Sequence, residues 1–392
     1  MRARTVGKAR TVGIVGAGQL GRMLALAGYP LGLSTTFLDR SADAPGAQVA
    51  PILLGELQDP ALLLELASRS DVLTFDWENI TGQALAPLEA VTTIRPPRAA
   101  LEVSQDRLEE KALFTRLKIP VAAHAAVDSK ADLSRAVRRH GVRGLLKTRR
   151  MGYDGKGQFA ISCGGDVEAA WAHMGAAVGG AAVGGAGGVG AAGNVGAAGL
   201  IYEQFQPFSR EVSLIGARSA KGEIVFYPLS ANTHGGGILH YSVAPYVNGA
   251  LERTARRHLK RVMEALDYVG VLAIEFFVVE GRLIANEMAP RVHNSGHWTI
   301  EGCVTSQFEN HLRAICDLPL GSTRALGHTA MVNFLGRLPV IERLLEIDGL
   351  AFHDYGKAPR PGRKLGHCTI VKARVKERNK ALADILKWVE WT

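Results

Sequence analysis

The stretch TVGIVGAGQLG at residues 11–21 contains a short apolar run followed by the pattern GxGxxG. The run at 11–15 predicts a buried strand, and the apolar residues 19–28 predict a helix after the glycine-rich turn. Such a turn presents backbone N–H groups and a helix N-terminus to a phosphate. Taken alone the motif is weak, because α/β domains with many different ligands contain it. It predicts a phosphate-binding α/β domain without defining a substrate.

Strand and helix patterns continue to alternate along the first hundred residues. Residues 34–38 and 72–75 predict strands, and residues 60–68 predict a helix between them. The alternation favours a doubly wound α/β domain that ends near residues 96–97. Asp39 follows the second strand, where a nicotinamide-dinucleotide enzyme carries its ribose-binding acid, so a dehydrogenase stays an alternative at this point.

The amino-acid composition of the chain argues against several classes of protein. The 392 residues are 47% hydrophobic and 21% charged, so the chain can bury the cores of two or three domains. No apolar run reaches the roughly 20 residues of a membrane span. The four cysteines lie far apart without a CxxC, which argues against a disulfide framework or a cysteine zinc site and favours a reducing compartment. The net charge of +9 is dispersed and forms no basic stripe interleaved with aromatics, so we expect a small phosphorylated ligand and no nucleic acid.

A second glycine-rich loop follows a helix predicted at residues 104–117 and lies between strands predicted at 145–148 and 158–161. Its three glycines in six residues form a mobile hairpin whose amides can close over a triphosphate, with Lys147 on the preceding strand as a fixed positive charge. The pattern is not a Walker A loop. The alternative is an ordinary surface hairpin, because Asp-Gly is a common turn signal.

Residues 271–287 predict a β-hairpin that turns near residues 280–282. A three-residue loop places Glu275 opposite Glu287, whereas a two-residue loop places Asn286 there. Two carboxylates that face each other in apolar surroundings are destabilising unless a cation lies between them. Oxygen ligands of this kind predict Mg²⁺ bound together with nucleotide phosphates. The alternative is that both acids point into solvent.

Directly after this hairpin, five polar residues lie within seven positions, namely Arg291, His293, Asn294, Ser295 and His297. They offer cationic and hydrogen-bonding groups to a developing phosphoryl or carboxylate charge. The two histidines at i and i+4 are alternative metal ligands, but the Asn-Ser-Gly between them disfavours the helix that such a spacing needs.

Residues 175–199 have a different composition, with 11 Gly, 9 Ala, 4 Val and 1 Asn. These residues cannot bury enough side-chain area to offset the entropy of ordering the backbone. We therefore predict a flexible surface insertion without catalytic residues. Beyond it, strand patterns prevail, and a last helix is predicted at residues 379–391.

Taken together, the motifs closely resemble the N5-carboxyaminoimidazole ribonucleotide synthases, ATP-grasp enzymes of purine biosynthesis. The resemblance covers residues 12–370 and is interrupted by the insertion. It is carried by GAGQLGRML, TFDWENI, QDRLEEK, LKTRRMGYDGKGQ, YEQF, SREVSLIGAR, FYPLSANTHGGGI, NEMAPRVHNSGHWT and YGKAPRPGRKLGH.

The resemblance implies an α/β architecture with an ATP-grasp fold. It implies an N-terminal Rossmann-like (pre-ATP-grasp) domain over residues 1–103, an ATP-grasp domain over 104–322 and a small C-terminal β-rich domain over 323–392. The implied reaction is the ATP- and bicarbonate-dependent carboxylation of 5-aminoimidazole ribonucleotide through carboxyphosphate, with Mg²⁺ as metal. The GxGxxG turn then serves the ribonucleotide and does not bind NAD.

The resemblance also implies functional residues, which we group by ligand. The nucleotide group is Arg107, Lys147, Gly152, Tyr153, Asp154, Gly155, Lys156, Gly157, Gln158, Glu203, Gln204, Phe205, Gln206, Glu211, His234, Asn286 and Glu287. The magnesium ligands are Glu275 and Glu287. The catalytic group around bicarbonate is Tyr153, Asp154, Arg291, His293 and Lys357. The ribonucleotide group is Gln19, Leu20, Asp76, Asn294, Ser295, Arg363 and Lys364.

The sequence departs from the family pattern at Asp76 and in the insertion at residues 175–199. Asp76 stands where the family more often has Glu, which shortens a substrate contact by one methylene, and the insertion has no counterpart that we recognise. In fungal and plant relatives a carboxylase-mutase domain follows, whereas this sequence stops at Thr392, so we expect the synthase half alone.

Partners and location follow from the same resemblance. We expect a homodimer without membrane contact, located in the cytoplasm or, if a transit segment precedes the chain, in a plastid. A carboxylase-mutase domain or subunit would act next. The alternatives are another ATP-grasp ligase, such as a formate-dependent glycinamide ribonucleotide transformylase, and a catalytically inactive nucleotide-binding protein. The presence of Lys147, Glu275 and Glu287 argues against the inactive alternative.

The insertion provides a first test. Replacing residues 175–199 with a short Gly/Ser turn should leave turnover and Tm little changed, because the entropy of loop closure grows slowly with loop length. Turnover and thermal unfolding of the shortened and full-length chains check this. A loss of several kcal/mol in the free energy of unfolding would show that the segment packs against the protein.

Overall fold

A computed structural model describes residues 10–152, 157–176 and 199–391. The described chain forms three β-sheets flanked by helices, which confirms the expected α/β fold class. Residues 177–198 of the predicted insertion and residues 153–156 of the glycine-rich loop lie outside the described residues. In the part of the chain that is described, no helix is long and apolar enough to cross a membrane.

The first sheet is parallel and has the strand order β3-β2-β1-β4-β5. Its strands are β1 (Thr11–Val15), β2 (Ser34–Asp39), β3 (Ile52–Leu54), β4 (Val72–Phe75) and β5 (Thr93–Ile94). The helices α1 (Gln19–Gly28), α2 (Pro60–Ser68) and α3 (Gly82–Leu85) connect them. The predicted strand, turn and helix at residues 11–28 are therefore confirmed.

The GxGxxG turn owes two of its glycines to local geometry. Gly16 has a φ of 91°, a conformation that residues with a side chain rarely adopt. A Cβ added to Gly18 would lie 2.6 Å from Oδ2 of Asp76. Asp76, which directly follows β4, is thus packed against the turn, and the two form one wall.

Two helices replace the single helix predicted over residues 104–117. They are α4 (Arg98–Ser104) and α5 (Arg107–Arg116). The break falls at Asp106, whose carboxylate caps α5 by accepting the N–H of Leu108. The same carboxylate binds Arg149 at 2.7 Å and so ties α5 to the start of the glycine-rich loop.

The second sheet is small and has the order β6-β9-β7-β8. It contains β6 (His124–Val127), β7 (Gly144–Thr148), β8 (Gln158–Ile161) and β9 (Leu200–Gln204), and it is covered by α6 (Lys130–His140) and α7 (Asp166–Met174). The strands predicted on both sides of the glycine-rich loop are confirmed, with Lys147 opposite Gln158.

The third sheet has nine described strands. They are β10 (Arg210–Arg218), β11 (Ile224–Phe226), β12 (Ser230–Gly235), β13 (Ile238–Ala244), β14 (Gly270–Val279), β15 (Arg282–Ala289), β16 (His328–Gly336), β17 (Leu350–Asp354) and β18 (Arg360–Lys372). The order is β15-β14-β10-β12-β13-β16-β18-β17, and β11 pairs with β10. The helices of this part are α8 (Gly249–Ala265), α9 (Thr299–Gly302), α10 (Gln307–Ile315), α11 (Ile341–Leu345) and α12 (Val375–Leu386).

Alternation along β10 separates a core face from a polar face. Val212 and Leu214 are fully buried in the core shared with α8. Glu211 and Ser213 point to the opposite face, because neighbouring residues of a strand alternate between faces. Ser213 is opposite Glu275 in the ladder, so the polar face also carries the expected acids of the hairpin.

The β14–β15 hairpin combines both loop geometries considered for the sequence. Its turn has two residues, Glu280 and Gly281, with positive φ angles of 48° and 74°. A two-residue turn alone would place Asn286 opposite Glu275. A β-bulge at this point shifts the register by one residue, so Glu287 pairs with Glu275 instead. The expected pairing of Glu275 with Glu287 is confirmed, but the prediction of a three-residue loop is wrong.

The last helix begins and ends earlier than predicted. The pattern predicts residues 379–391, whereas α12 spans Val375–Leu386. Trp391 lies beyond the helix: its indole stacks on His240, with ring centroids 3.9 Å apart, and its Nε1 donates to the carbonyl of Asn333. These contacts with distant strands were not visible in the sequence pattern.

Candidate active site

A cleft of about 560 Å³ lies between the first sheet, α5 and the β14–β15 hairpin. Ten residues that the sequence assigned to nucleotide, ribonucleotide or catalysis line it: Gln19, Leu20, Asp76, Arg107, Gly152, Glu287, Arg291, His293, Asn294 and Lys364. The fold therefore brings residues from positions 19 to 364 to one place.

Lys147 lies at one end of this region, in a buried charge cluster. Its Nζ donates to Oε2 of Glu203 at 3.0 Å, and Nζ of Lys111 lies 3.6 Å from the same oxygen. Burial alone would raise the pKa of Glu203. The charges of Lys147, Lys111 and Arg107 lower it by more than burial raises it, so the net pKa is well below its ordinary value. Glu203 therefore stays ionised and holds Lys147 in place.

Lys111 is a residue that the sequence reasoning missed. It is almost fully buried, and its Nζ donates to the carbonyl of Asn286 at 2.6 Å. It thus connects α5 to the bulge that sets the pairing of the two acids. The QDRLEEK stretch on which it lies was noted only for its resemblance, and periodicity gave no signal for this contact.

Glu275 and Glu287 face each other with different surroundings. Burial raises the pKa of Glu275 to about 7, and the charge of Glu287 adds to the rise while His234 opposes it. Burial also raises the pKa of Glu287, but Arg107 and Lys147 lower it below its ordinary value. Arg107 donates to Oε2 of Glu287 at 3.1 Å.

This pair of carboxylates has a donor set that fits Mg²⁺. Among the described residues, no group of three or more His, Cys, Asp or Glu forms a complete metal site. Mg²⁺ binds through one or two carboxylates and takes its other ligands from phosphates and water, so a pair is sufficient. Burial and the neighbouring charge of Glu287 raise the pKa of Glu275, so a cation between the two carboxylates would stabilise its ionised form.

Glu211 and His234 lie beside Glu275 on the polar face. Nδ1 of His234 is 2.9 Å from Oε2 of Glu211. Burial lowers the pKa of His234, but Glu211 and Glu275 raise it, and the net shift is upward. Both predicted nucleotide residues thus belong to one electrostatic group with the acids.

Arg291 is held by a carboxylate that the sequence reasoning also missed. Glu78 accepts two hydrogen bonds from its guanidinium, at 2.5 Å and 2.7 Å. Burial raises the pKa of Glu78, but Arg291 outweighs it and the net pKa is lowered. A bidentate pair fixes the plane of the guanidinium. Glu78 is part of the TFDWENI stretch, which was its available signal.

Asp76 lines the cleft, and Lys357 lies close enough to affect its charge. Burial raises the pKa of Asp76 to about 6, although a backbone hydrogen bond from Gly21 and the charges of Lys357 and Arg291 lower it. Nζ of Lys357 donates to Oε1 of Gln19. A lysine from the C-terminal part therefore contacts the helix that follows the GxGxxG turn.

His293 lines the cleft, whereas Ser295 is fully buried behind it. Burial, assisted by Arg291, lowers the pKa of His293 to about 3, so its imidazole is neutral. Oγ of Ser295 is 2.8 Å from Nδ1 of His293 and also bonds Ser213. Ser295, which we expected to contact the ribonucleotide, is directed into the protein in this structure.

Asn294 is fixed by a reciprocal pair of amide hydrogen bonds with Asn333 of β16, at 3.0 Å and 2.8 Å. Its amide also contacts Nδ1 of His297 at 3.0 Å. Residues Asn294–Gly296 form a 3₁₀ turn, so the two histidines do not share a regular α-helix, as expected.

The other predicted residues lie outside the set that lines the cleft. Gln204, Phe205 and Gln206 are at the end of β9, where Arg143 covers the ring of Phe205 at 4.7 Å. Gln158 begins β8 and Gly157 directly precedes it, and Arg363 of β18 donates to the carbonyl of Ala358. The predicted loop residues that lie outside the described residues are Tyr153, Asp154, Gly155 and Lys156.

Comparisons with known proteins agree with this geometry. A ribonucleotide synthetase preATP-grasp domain matches residues 9–105, an ATP-grasp domain matches 112–308, and a phosphoribosylaminoimidazole carboxylase C-terminal domain matches 329–381. The N5-carboxyaminoimidazole ribonucleotide synthase of Pseudomonas aeruginosa is 44% identical over 92% of this chain and 94% of its own length. The chain belongs to the N5-carboxyaminoimidazole ribonucleotide synthase family.

Solved structures of N5-carboxyaminoimidazole ribonucleotide synthases have the same fold. The synthetase from Thermus thermophilus is 46% identical, with a TM-score of 0.88 over 97% of this chain and 99% of that one. The synthase from Aspergillus clavatus, in complex with ADP and 5-aminoimidazole ribonucleotide, is 27% identical, with a TM-score of 0.85 over 97% and 98%. The resemblance to this family is confirmed, and the dehydrogenase alternative is not supported.

Asp76 makes the stability of this synthase family member depend on pH. Its folded-state pKa is raised from 3.8 to about 6, so its protonated form stabilises the fold below pH 3.8, and this contribution is lost as pH rises through 6. Asp76→Asn stays neutral. The free energy of unfolding of this variant, relative to that of the unmodified chain, should therefore increase by about 2 kcal/mol as the pH rises from 4.5 to 8.

Urea unfolding at the two pH values measures this difference. The exposed Asp43→Asn is the matched control and should show no comparable increase. An equal stability difference at both pH values would contradict a raised pKa for Asp76.

Proposed function

We propose that this chain carboxylates the exocyclic amine of 5-aminoimidazole ribonucleotide, with ATP and bicarbonate as co-substrates and N5-carboxyaminoimidazole ribonucleotide, ADP and phosphate as products. The observation that carries the proposal is that one cleft is lined by residues of the nucleotide group and of the ribonucleotide group. The complex of the Aspergillus clavatus relative, with ADP and 5-aminoimidazole ribonucleotide together, supports it.

The first step would be phosphoryl transfer. A bicarbonate oxygen attacks the γ-phosphorus of ATP, the bond to the β-phosphate oxygen breaks, and ADP leaves carboxyphosphate behind. Lys147 offers a fixed positive charge to the phosphates, and Glu203 keeps its ammonium in position. Glu275 and Glu287 would hold Mg²⁺, which neutralises phosphate charge when bound. Arg107 orients Glu287.

The second step would be carboxyl transfer. The exocyclic amine attacks the carboxyl carbon of carboxyphosphate, phosphate leaves, and the nitrogen loses a proton. Arg291, His293 and Lys357 would surround the carboxyl group, and Glu78 fixes the guanidinium plane of Arg291. Enclosure of the intermediate by these residues would exclude water, which would otherwise hydrolyse it. Tyr153 and Asp154 are proposed for the same place from the family resemblance.

The remaining assignments extend this proposal. Gln19, Leu20, Asp76, Asn294 and Lys364 line the cleft and would bind the ribonucleotide. We further propose a homodimer in the cytoplasm and a carboxylase-mutase as the next enzyme, all from the family resemblance.

An assay of phosphate release tests the reaction most directly. The chain should release phosphate from ATP when both 5-aminoimidazole ribonucleotide and bicarbonate are present. Glycinamide ribonucleotide with formate is the competing pair. Faster release with that pair would contradict the proposed substrate and support the transformylase alternative.

The two carboxylates proposed as magnesium ligands give a further prediction. Glu287→Gln should remove most of the turnover and leave folding intact, because it deletes a ligand charge at nearly constant shape. Steady-state kinetics and circular dichroism measure both effects. Glu280→Gln, in the exposed turn of the same hairpin, is the control. Near-normal turnover of Glu287→Gln would rule out its role as a metal ligand.

The two steps should also be separable by mutation. His293→Ala or Lys357→Ala should impair product formation more than nucleotide binding, because neither residue is assigned to adenine or ribose. Calorimetric ATP affinity and incorporation of labelled bicarbonate measure the two properties, with the exposed Lys376→Ala as control. If ATP affinity fell in proportion to turnover, the residue would belong to the nucleotide site.

A further inference from the structure

A chain of buried hydrogen bonds leads from the polar face of the third sheet to His293. Oγ of Ser295 lies 2.8 Å from Nδ1 of His293, and Ser213 donates to Oγ of Ser295 at 2.8 Å. Nδ2 of Asn232 donates to Oγ of Ser213 at 3.1 Å. Both serines are fully buried and Asn232 nearly so. Neither Ser213 nor Asn232 has a role in the reaction derived above.

One direction of these bonds at His293 is favoured by a group that cannot reverse. The backbone N–H of Ser295 points to Nδ1 of His293 at 3.4 Å, and an amide nitrogen only donates. At 3.4 Å this contact is weak, so it favours an unprotonated Nδ1 without fixing the tautomer by itself. The hydroxyl of Ser295 then also donates to Nδ1, and the single proton of the neutral ring resides on Nε2.

The hydrogen bonds at the other end of this series, around Asn232, point in the same direction. Ser242 donates its hydroxyl to Oδ1 of Asn232 at 2.8 Å, which orients the NH₂ group of Asn232 toward Ser213. Ser230 can donate to the backbone carbonyl of Ser213 at 3.3 Å. The hydroxyls of Ser213 and Ser230 also lie 2.9 Å apart, and either can donate. When Ser230 donates, the hydrogen of the Ser213 hydroxyl is available to Ser295 at 2.8 Å. The hydroxyls of Ser213 and Ser295 each accept at least one hydrogen and donate one toward His293.

We propose that Ser213 and Ser295 are positioning residues that hold His293 as the Nε2–H tautomer. Nε2 lies 3.7 Å from Oε1 of Glu275, longer than a hydrogen bond, and His293 lines the cleft. His293 therefore presents a hydrogen-bond donor to an anionic oxygen in the cleft, and it does not accept a proton at Nε2. Only the identity of that oxygen, carboxyl or phosphoryl, rests on the proposed function.

The tautomer can be measured by NMR on the full chain labelled with ¹⁵N-histidine, with the His293 signals assigned by their loss in His293→Gln. In the unmodified chain, Nε2 should have the shift of a protonated nitrogen and Nδ1 that of an unprotonated one. In Ser213→Ala and Ser295→Ala the two shifts should approach each other, because both tautomers become populated. Turnover should fall roughly tenfold while the KM for ATP is unchanged.

Control variants separate this role from a structural one. Thr369 has a fully buried hydroxyl in the same sheet, without a hydrogen-bond partner among the described residues, so Thr369→Ala should leave both tautomer and turnover unchanged. Ser213→Thr keeps the hydroxyl and should restore both properties. If its extra methyl prevents folding, Ser295→Thr serves the same purpose.

Two results would overturn the proposal. One is a protonated Nδ1 in the unmodified chain, and the other is an unchanged tautomer in both alanine variants, whatever their turnover. Absence of carboxylated product from a chain with the expected tautomer would instead refute the proposed function and leave the assignment of His293 supported.

Discussion

The structure depends on two carboxylates that face each other across one rung of a sheet. A bulge at Asn286 places Glu287 opposite Glu275, and like charges in a partly desolvated site repel each other strongly. The protein compensates one of them with Arg107 and leaves the other with a pKa near 7. A cation between the two carboxylates would remove this repulsion, which is the physical basis of the proposed metal site.

The remaining charged groups are arranged as pairs around this site, and each pair positions one side chain. Glu203 holds Lys147, Glu78 holds Arg291 in a bidentate contact, and Glu211 bonds His234. A buried cation without such a partner would lose its proton or remain disordered. The pairing therefore explains how many cationic groups can lie near one cleft in defined orientations before any ligand binds.

Sequence reasoning reached the features that rest on local patterns. The strand, turn and helix at residues 11–28 and the strands beside the glycine-rich loop could be predicted from periodicity and turn chemistry. The opposition of Glu275 and Glu287 was expected from a three-residue loop, whereas a two-residue turn with a bulge produces it. The bulge and the inward direction of Ser295 could not be predicted, because each depends on contacts between distant segments. Glu78 and Lys111 were missed for the same reason. The helix break at Asp106 was missed although its cap is a local contact.

Contacts between distant segments also explain why the site needs the whole chain. The GxGxxG turn contributes Gln19, and the loop after β17 contributes Lys357, which bonds it from 338 positions away. Asn333 of β16 fixes Asn294 in the same manner. The acids and Lys147, by contrast, lie on the second and third sheets. The end of the site with the acids and Lys147 is thus built within the middle of the chain, whereas the end with Gln19 and Lys357 forms only when the first and last segments pack against that middle.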